Sequence, residues 1–145
     1  MTAISKQTKS ALHIEDHVYY RNLVGEMLLK AGYDVTQTGN LTHALYYAKR
    51  KPFDLYVSSC CFPETPNRGD DIEVRDAGVQ LYKKVREWYG DGINFIILSI
   101  DAVPEAQKQC QQLGIPCMNR DKSGFDRAFH EHLDNLQKSQ TSHKQ

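Results

Sequence analysis

The sequence predicts an α/β fold, a doubly wound five-stranded parallel sheet with helices on both faces. Five short apolar runs alternate along the chain with five stretches whose apolar residues recur at helical spacing. This alternation is typical of parallel strands that are joined by right-handed helical crossovers. The strand runs are apolar along their length, as expected when helices cover both faces of the sheet.

The first strand and helix show these signals clearly. Residues 11–14 (Ala-Leu-His-Ile) predict a strand, and residues 20–31 carry apolar side chains at helical spacing. Gly32 stands where the end of this helix favours glycine. The later strands are predicted at residues 33–36, 54–59, 94–99 and 115–119, and the later helices at residues 41–50, 78–89, 104–113 and 125–136.

Prolines, glycines and apolar spacing support these later elements. Pro52 closes the second helix before the third strand, and the run at residues 94–99 is the most strand-like of the chain. Pro104 lies at the first turn of the fourth helix and Gly114 follows its end, which is the usual asymmetry of helix termini. In the last helix, apolar residues recur at spacings of four, four and three.

Composition and charge are those of an ordinary globular protein. Of the 145 residues 25% are charged, and 18 basic residues balance 18 acidic ones, so there is no general attraction to nucleic acid or to an acidic membrane. No apolar run approaches the roughly 20 residues of a transmembrane helix. We expect one cytoplasmic domain at residues 11–136, with a disordered tail at 1–10 and a flexible tail at 137–145.

Polar side chains stand at the carboxyl ends of the predicted strands, where doubly wound sheets bind their ligands. Glu15 and Asp16 follow the first strand, Ser59 closes the third, Ser99 closes the fourth, and Lys122 follows the fifth. We expect these groups to converge on one crevice. Two adjacent carboxylates with a lysine and a hydroxyl nearby could hold a hard cation and an anion together.

Five motifs follow one another along residues 12–136. They are Ile14-Glu15-Asp16 with Ala31-Gly32-Tyr33-Asp34-Val35 after the first helix, Pro52-Phe53-Asp54-Leu55-Tyr56-Val57, Pro63 four residues after Ser59, Asp76-Ala77-Gly78 before the third helix, and Ser99 at the end of the fourth strand. This ordered set resembles the receiver domain of bacterial response regulators. The resemblance implies the flavodoxin-like receiver fold and a stand-alone regulator in two-component, phosphorelay signalling.

The position of the family's phosphoacceptor aspartate holds Ser59, and no carboxylate lies within residues 55–62. A serine hydroxyl is a much weaker nucleophile unless a base activates it. The resemblance therefore implies a pseudo-receiver in which Ser59 is either a phosphoacceptor or ligand contact, or a relic that accepts a hydrogen bond. Glu15 and Asp16 are either a weak Mg²⁺ site or a solvated helix N-terminus, and we expect no other cofactor.

The end of the fifth strand also departs from the family. Counting along the chain puts Asp121 at the place of the family's lysine, with Lys122 one residue later, and the family's aromatic switch residue falls at Met118 or Asn119. Residues 64–75 form an acidic insertion. We interpret this insertion as a surface loop that reshapes the end of the domain facing a partner.

The four cysteines are expected to be reduced thiols. A thiol-based or small-ligand sensor that uses Cys60 and Cys61 at the crevice is the alternative hypothesis. Free cysteines are usually small buried hydrophobic residues, and we assign Cys110 and Cys117 to the core.

An interaction module, and not an enzyme, is the function that we expect. A flavodoxin-like enzyme is disfavoured because no glycine-rich phosphate loop follows the first strand. The expected partners are a sensor kinase, another signalling protein or a second copy in a homodimer, with no nucleic acid and no membrane. The resemblance places the partner face on the fourth and fifth helices, with Pro104, Gln107, Phe125 and Phe129.

Overall fold

The structure, a computed structural model, describes residues 8–66 and 73–142. In chain order these residues form β1 (Lys9–Ile14), α1 (Val18–Lys30), β2 (Tyr33–Thr38), α2 (Leu41–Arg50), β3 (Leu55–Ser59), β4 (Phe62–Pro63), β5 (Glu73–Val74), α3 (Ala77–Tyr89), β6 (Phe95–Ser99), α4 (Glu105–Leu113), β7 (Cys117–Asn119) and α5 (Phe125–Ser142). None of the helices within the described residues is long and apolar enough to cross a bilayer.

The five main strands form one parallel sheet in the order β2-β1-β3-β6-β7. The central strands β3 and β6 are buried at every position. One hydrophobic cluster packs α2, α3 and α4 on one face of the sheet, and a second packs α1 and α5 on the other. The predicted doubly wound parallel sheet is therefore confirmed.

Several element bounds differ from the prediction, most by one or two residues. β1 begins at Lys9, because Lys9 still pairs with Tyr33 of β2. β7 begins at Cys117, two residues later than expected, since the preceding Pro116 has no N–H to donate to a ladder. α5 continues to Ser142, six residues past the predicted end at residue 136. Of the two predicted tails, residues 1–7 and 143–145 lie outside the described residues.

A short hairpin that the sequence did not predict lies at the base of the acidic insertion. β4 and β5 pair antiparallel, with Phe62 opposite Val74. Both the backbone N–H and the hydroxyl of Thr42 on α2 donate to the Glu64 carbonyl, at 2.8 and 2.7 Å, and fix the start of the insertion. Residues 67–72 lie outside the described residues. The hairpin carries Glu73 back toward the carboxyl end of β3.

Gly78 allows α3 to begin directly against the end of β3. Its backbone N–H donates to the Cys60 carbonyl at 3.2 Å. A Cβ atom at Gly78 would stand 2.5 Å from the Ser59 carbonyl oxygen, closer than any carbon can approach without displacing the backbone. The glycine of the Asp76-Ala77-Gly78 motif is thus required by the close approach of helix and strand.

Candidate functional site

The carboxyl ends of three adjacent strands bring the predicted site residues to one edge of the sheet. Ile14 of β1 pairs with Ser58 of β3, so Glu15 and Ser59 end their strands side by side. Ser99 ends the next strand, β6, which pairs with β3 along its length. The predicted convergence of Glu15, Ser59 and Ser99 is present in the structure.

Glu15 is buried and fully engaged. Its side chain is 1% exposed and forms an ion pair with the guanidinium of Arg120, whose side chain is 7% exposed. The second carboxylate oxygen accepts the His17 backbone N–H at 2.9 Å. The Arg120 guanidinium also stacks over the Tyr20 ring, 3.9 Å from its centroid. Glu15 is therefore not part of a solvated helix N-terminus, and that alternative was wrong; the weak Mg²⁺ site at Glu15 and Asp16 stays a prediction.

Arg120 was not among the predicted site residues, although the alternation of side chains along β7 indicates the direction in which it points. Its backbone N–H donates to the Ser99 carbonyl at 3.0 Å, so the β6–β7 ladder reaches one residue beyond Asn119. Met118 packs in the cluster formed by α1 and α5. Because strand residues two apart share a face, Arg120 points to the same side as Met118 and reaches Glu15.

The two residues assigned to the lysine position lie elsewhere. Lys122 is exposed, and within residues 8–66 and 73–142 it forms no ion pair with the site carboxylates. The Asp121 carboxylate accepts the Asp101 backbone N–H at 2.8 Å and so closes the loop after β6. Among the described residues, Arg120 is the cation paired with the Glu15 carboxylate, and the prediction of Lys122 at that place is corrected.

The two serine hydroxyls of the crevice are buried and bonded to backbone. Ser59 is 2% exposed, and its Oγ donates to the Cys61 carbonyl at 3.4 Å. Ser99 Oγ donates to the Met118 carbonyl at 3.4 Å and accepts Gln107 Nε2 at 3.3 Å. Among the described residues, no carboxylate or imidazole accepts a hydrogen bond from Ser59, so the base that would activate its hydroxyl is missing there.

Asp16 lies close to the carboxylate of Glu73, a residue that was not among the predicted site residues. Glu73, on the hairpin at the base of the insertion, approaches both Asp16 and the Cys61 thiol, whose Sγ lies 4.0 Å from Glu73 Oε1. Partial burial raises the pKa of Glu73, and a hydrogen bond shared with Asp16 raises it further. In the described parts of the chain no group of three His, Cys, Asp or Glu side chains could hold a metal ion.

His13 lies buried on β1, two residues before Glu15. Gln37 Nε2 donates to His13 Nδ1 at 2.9 Å and to the Arg21 carbonyl at 2.9 Å. Since Nδ1 accepts, Nε2 carries the ring proton, and Nε2 has no hydrogen-bond partner among the described residues. Burial, with the nearby charges of Arg21 and Arg120, lowers the pKa of His13 to about 3. The buried imidazole of His13 is therefore neutral at neutral pH.

Cys60 and Cys61 are sealed from solvent, with exposures of 3% and 4%. Their sulfur atoms lie 3.8 Å apart. The hydrogen bond between the two thiols lowers the pKa of Cys60, while the same bond and burial raise the pKa of Cys61. A sensor that uses these two thiols would have to open the core first, so their burial speaks against the alternative hypothesis.

The predicted partner face is divided between core and surface. Phe125 and Phe129 stack on each other at 5.6 Å and are 6% and 0% exposed in the cluster between α5 and the sheet. They are core residues, and their assignment to a partner face was wrong. Pro104 and Gln107 are exposed at the start of α4.

Comparison with known proteins finds the fold and little sequence similarity. No protein-family model and no curated protein matches the chain. Solved structures that match this architecture include response-regulator and signal receiver domains, so the fold is the flavodoxin-like receiver fold.

Three of these structures span nearly the whole chain. The receiver domain of the sensor histidine kinase PA1611 from Pseudomonas aeruginosa PAO1, which has a magnesium ion in its active-site cleft, is 21% identical with a TM-score of 0.65, covering 90% of this chain and 96% of that one. The chemotaxis response regulator CheY4 of Vibrio cholerae is 19% identical with a TM-score of 0.62, covering 94% and 98%. The signal receiver domain of an HD domain-containing protein from Pseudomonas fluorescens Pf-5 is 15% identical with a TM-score of 0.72, covering 99% and 96%.

Proposed function

We propose that this chain is a pseudo-receiver, an interaction module of two-component signalling that acts without phosphorylation on aspartate. The observation that carries the proposal is the buried ion pair of Glu15 and Arg120 beside Ser59. The receiver resemblance gives this crevice a phosphoacceptor carboxylate and an acidic pair. Here a serine replaces the acceptor, and one member of the pair is already neutralised.

The Glu15–Arg120 ion pair disfavours the binding of a cation at Glu15. Removing one partner of a buried ion pair leaves an uncompensated charge, which costs about 3–5 kcal/mol. A cation that displaced Arg120 from Glu15 would have to offset that energy with new ligands. Arg120 also loses its contact with the Tyr20 ring when it leaves. The state in which Glu15 is paired with Arg120 is therefore the stable one.

The remaining oxygen donors do not fit a magnesium ion well. Magnesium takes near-octahedral oxygen coordination and is usually held by one or two carboxylates with waters and phosphate oxygens. Asp16 and Glu73 lie close together, but Ser59 supplies no carboxylate at the end of β3 and Glu15 is paired with Arg120. We propose that magnesium binds this crevice weakly or not at all.

Signalling would then pass through a bound protein: a sensor kinase, another signalling protein or a second copy of the chain. The exposed start of α4 is the surface that we propose for this contact. Gln107 joins it to the crevice, because its amide donates to the Ser99 hydroxyl at 3.3 Å. Because no carboxylate or imidazole in the described parts of the chain accepts a hydrogen bond from Ser59, we propose that the module acts by binding and not by catalysis.

Incubation with magnesium and acetyl phosphate, followed by intact-mass measurement, tests the proposal. We expect no phosphoryl adduct on the wild-type protein, while a phosphorylatable receiver in the same tube shows that the donor is active. Ser59→Asp combined with Arg120→Lys restores the family's acceptor and cation and is the matched gain-of-function variant. A hydroxylamine-sensitive phosphoryl adduct on the wild-type chain would overturn the proposal.

A further inference from the structure

A groove of about 270 Å³ lies between α2 and α3. Its floor is apolar and comes from α2, where Leu41 and Leu45 stand one helical turn apart; its rim comes from α3 and consists of Gln80, Lys83, Lys84 and Glu87. Leu45 is half-buried, and the four rim residues are exposed. The stems of the two lysines add their methylene groups to the apolar floor. An apolar strip bordered by charge is therefore open to solvent.

Two contacts hold α2 and α3 at this spacing. The Tyr89 hydroxyl of α3 donates to the Ala48 carbonyl of α2 at 2.6 Å. Lys49 Nζ lies 6.0 Å from the centroid of the Trp88 ring. Both contacts join the last turns of the two helices. Because the groove is already formed, a bound segment does not have to offset the cost of ordering it.

The helices α2 and α3 are basic, although the whole chain has no net charge. They contain one acidic side chain, Glu87, against the basic side chains of Lys49, Arg50, Lys83, Lys84 and Arg86. Glu87 reaches Lys84 at 3.8 Å in an exposed ion pair, a kind of contact that adds little stability. Arg86 is turned to Asp91, at 3.2 Å. The groove thus presents lysines along its rim and at its carboxyl end.

We propose that this groove binds an acidic amphipathic helix of a partner protein. Apolar side chains spaced by one turn along that helix would pack on Leu45, and its carboxylates would pair with Lys83 and Lys84. Laying the apolar face of a helix in a hydrophobic groove is a common mode of peptide recognition. This inference adds a second contact surface to the proposed interaction module. It does not depend on the state of the acidic crevice or on the start of α4.

The size and chemistry of the groove favour this occupant over others. Pockets for small-molecule ligands usually enclose about 300–1,000 Å³ and bury most of the ligand, and this groove is smaller. A nucleic acid would be held mainly by cations on its phosphates, which gives an apolar floor no role. A segment with both apolar and acidic side chains uses the floor and the rim together.

The charges along the groove predict how the partner helix lies in it. Acidic residues border the amino ends of the two helices: Asp76 precedes α3, and the Glu64 carbonyl is held by Thr42 at the start of α2. From Leu41 to Lys49 the α2 side extends roughly 12 Å, or two helical turns. We therefore expect the carboxylates of the partner over the carboxyl half of the groove and its apolar residues over the leucines.

The test begins with a phage-displayed library of random peptides that is panned on the full chain. We expect the enriched peptides to place apolar residues one helical turn apart among aspartates and glutamates. One enriched peptide, labelled with fluorescein, then gives the dissociation constant by fluorescence anisotropy. Trp88, the single tryptophan of the chain, lies at the end of the groove beside Lys49 and should change its emission when the peptide binds.

Lys83→Glu combined with Lys84→Glu should weaken peptide binding by about tenfold, because two attractive contacts become repulsive. Leu45→Ser should also weaken it, because the apolar floor is lost. The matched control is Lys30→Glu combined with Lys138→Glu. It makes the same charge change on α1 and α5, on the opposite face of the sheet, and should leave the dissociation constant unchanged. Circular dichroism confirms that each variant is folded.

Equal weakening by the control pair would show that only net charge matters and would overturn the proposal. Enriched peptides that are basic would also overturn it, as would a library from which no peptide binds the wild type more tightly than the Lys83→Glu/Lys84→Glu variant. Two further outcomes would replace the proposed occupant and so contradict it. They are a single-stranded oligonucleotide that displaces the peptide, and a dimer of the chain, seen by light scattering, that the peptide dissociates.

Discussion

The Arg120 guanidinium lies between the Glu15 carboxylate and the face of the Tyr20 ring. The arginine therefore satisfies the acidic side of the crevice and is itself held by stacking. A buried, paired and stacked arginine is a fixed part of the fold. This relationship explains how the fold can keep a buried carboxylate at the end of β1, beside Ser59 at the end of β3.

Arg120→Met should destabilise the protein by about 3–5 kcal/mol, because the Glu15 carboxylate would stay buried without a partner. Urea unfolding followed by circular dichroism measures the change. The double variant Glu15→Gln/Arg120→Met removes both charges and should recover most of that loss. If the double variant were as unstable as the sum of the two single changes, the two side chains would not interact.

His13 should make the protein sensitive to acid. The pKa of His13 is about 3 in the folded protein against 6.5 when unfolded. Between these two pH values the histidine is protonated in the unfolded chain and neutral in the folded protein. The free energy of unfolding should fall as the pH drops from 6.5 toward 3, by up to about 1.4 kcal/mol per pH unit, and should not change from this cause above 6.5.

The control for this pH dependence is His13→Leu, which cannot take up the proton. The difference in unfolding free energy between wild type and variant, measured in urea from pH 7 downward, isolates the histidine from the carboxylates. Parallel curves for the two proteins would show that His13 is not buried in its neutral form.

Gly78→Ala should be strongly destabilising, because the new Cβ would stand 2.5 Å from the Ser59 carbonyl oxygen. Overpacking against fixed backbone typically costs about 1–3 kcal/mol. Gly92→Ala is the matched control, since a Cβ there meets no atom within 4 Å. Thermal melting of both variants checks the prediction, and equal melting temperatures would show that α3 does not abut β3 so closely.

Phe129→Ala should lower the free energy of unfolding, because Phe129 belongs to the core and not to a surface contact. The side chain is 0% exposed between α5 and the sheet, and removing a buried phenylalanine costs about 3–5 kcal/mol. Gln107→Ala, on the exposed start of α4, should leave the unfolding free energy within about 0.5 kcal/mol of wild type. If Phe129→Ala lowered the unfolding free energy only slightly, the conclusion that Phe129 is a buried core residue would be contradicted.

The sequence predicted the sheet and its helices because apolar spacing records which side of each element is buried. The same spacing already marked Phe125 and Phe129 as buried, and only the analogy with receiver surfaces placed them on a partner face. Arg120 was missed because counting from the preceding glycine ignored where Pro116 lets β7 begin. Glu73 was missed because the hairpin that returns it to Asp16 depends on antiparallel pairing across the insertion, which no local pattern shows.

The most direct test of the closed crevice is the melting temperature of the wild-type protein with magnesium and beryllofluoride, a mimic of the phosphoryl group. We predict no change in melting temperature with both reagents together, because Glu15 is paired with Arg120 and Ser59 supplies no carboxylate for a cation. Ser59→Asp combined with Arg120→Lys is measured in parallel as the variant in which the site is rebuilt. A clear rise in the melting temperature of the wild type, dependent on both reagents, would contradict the account.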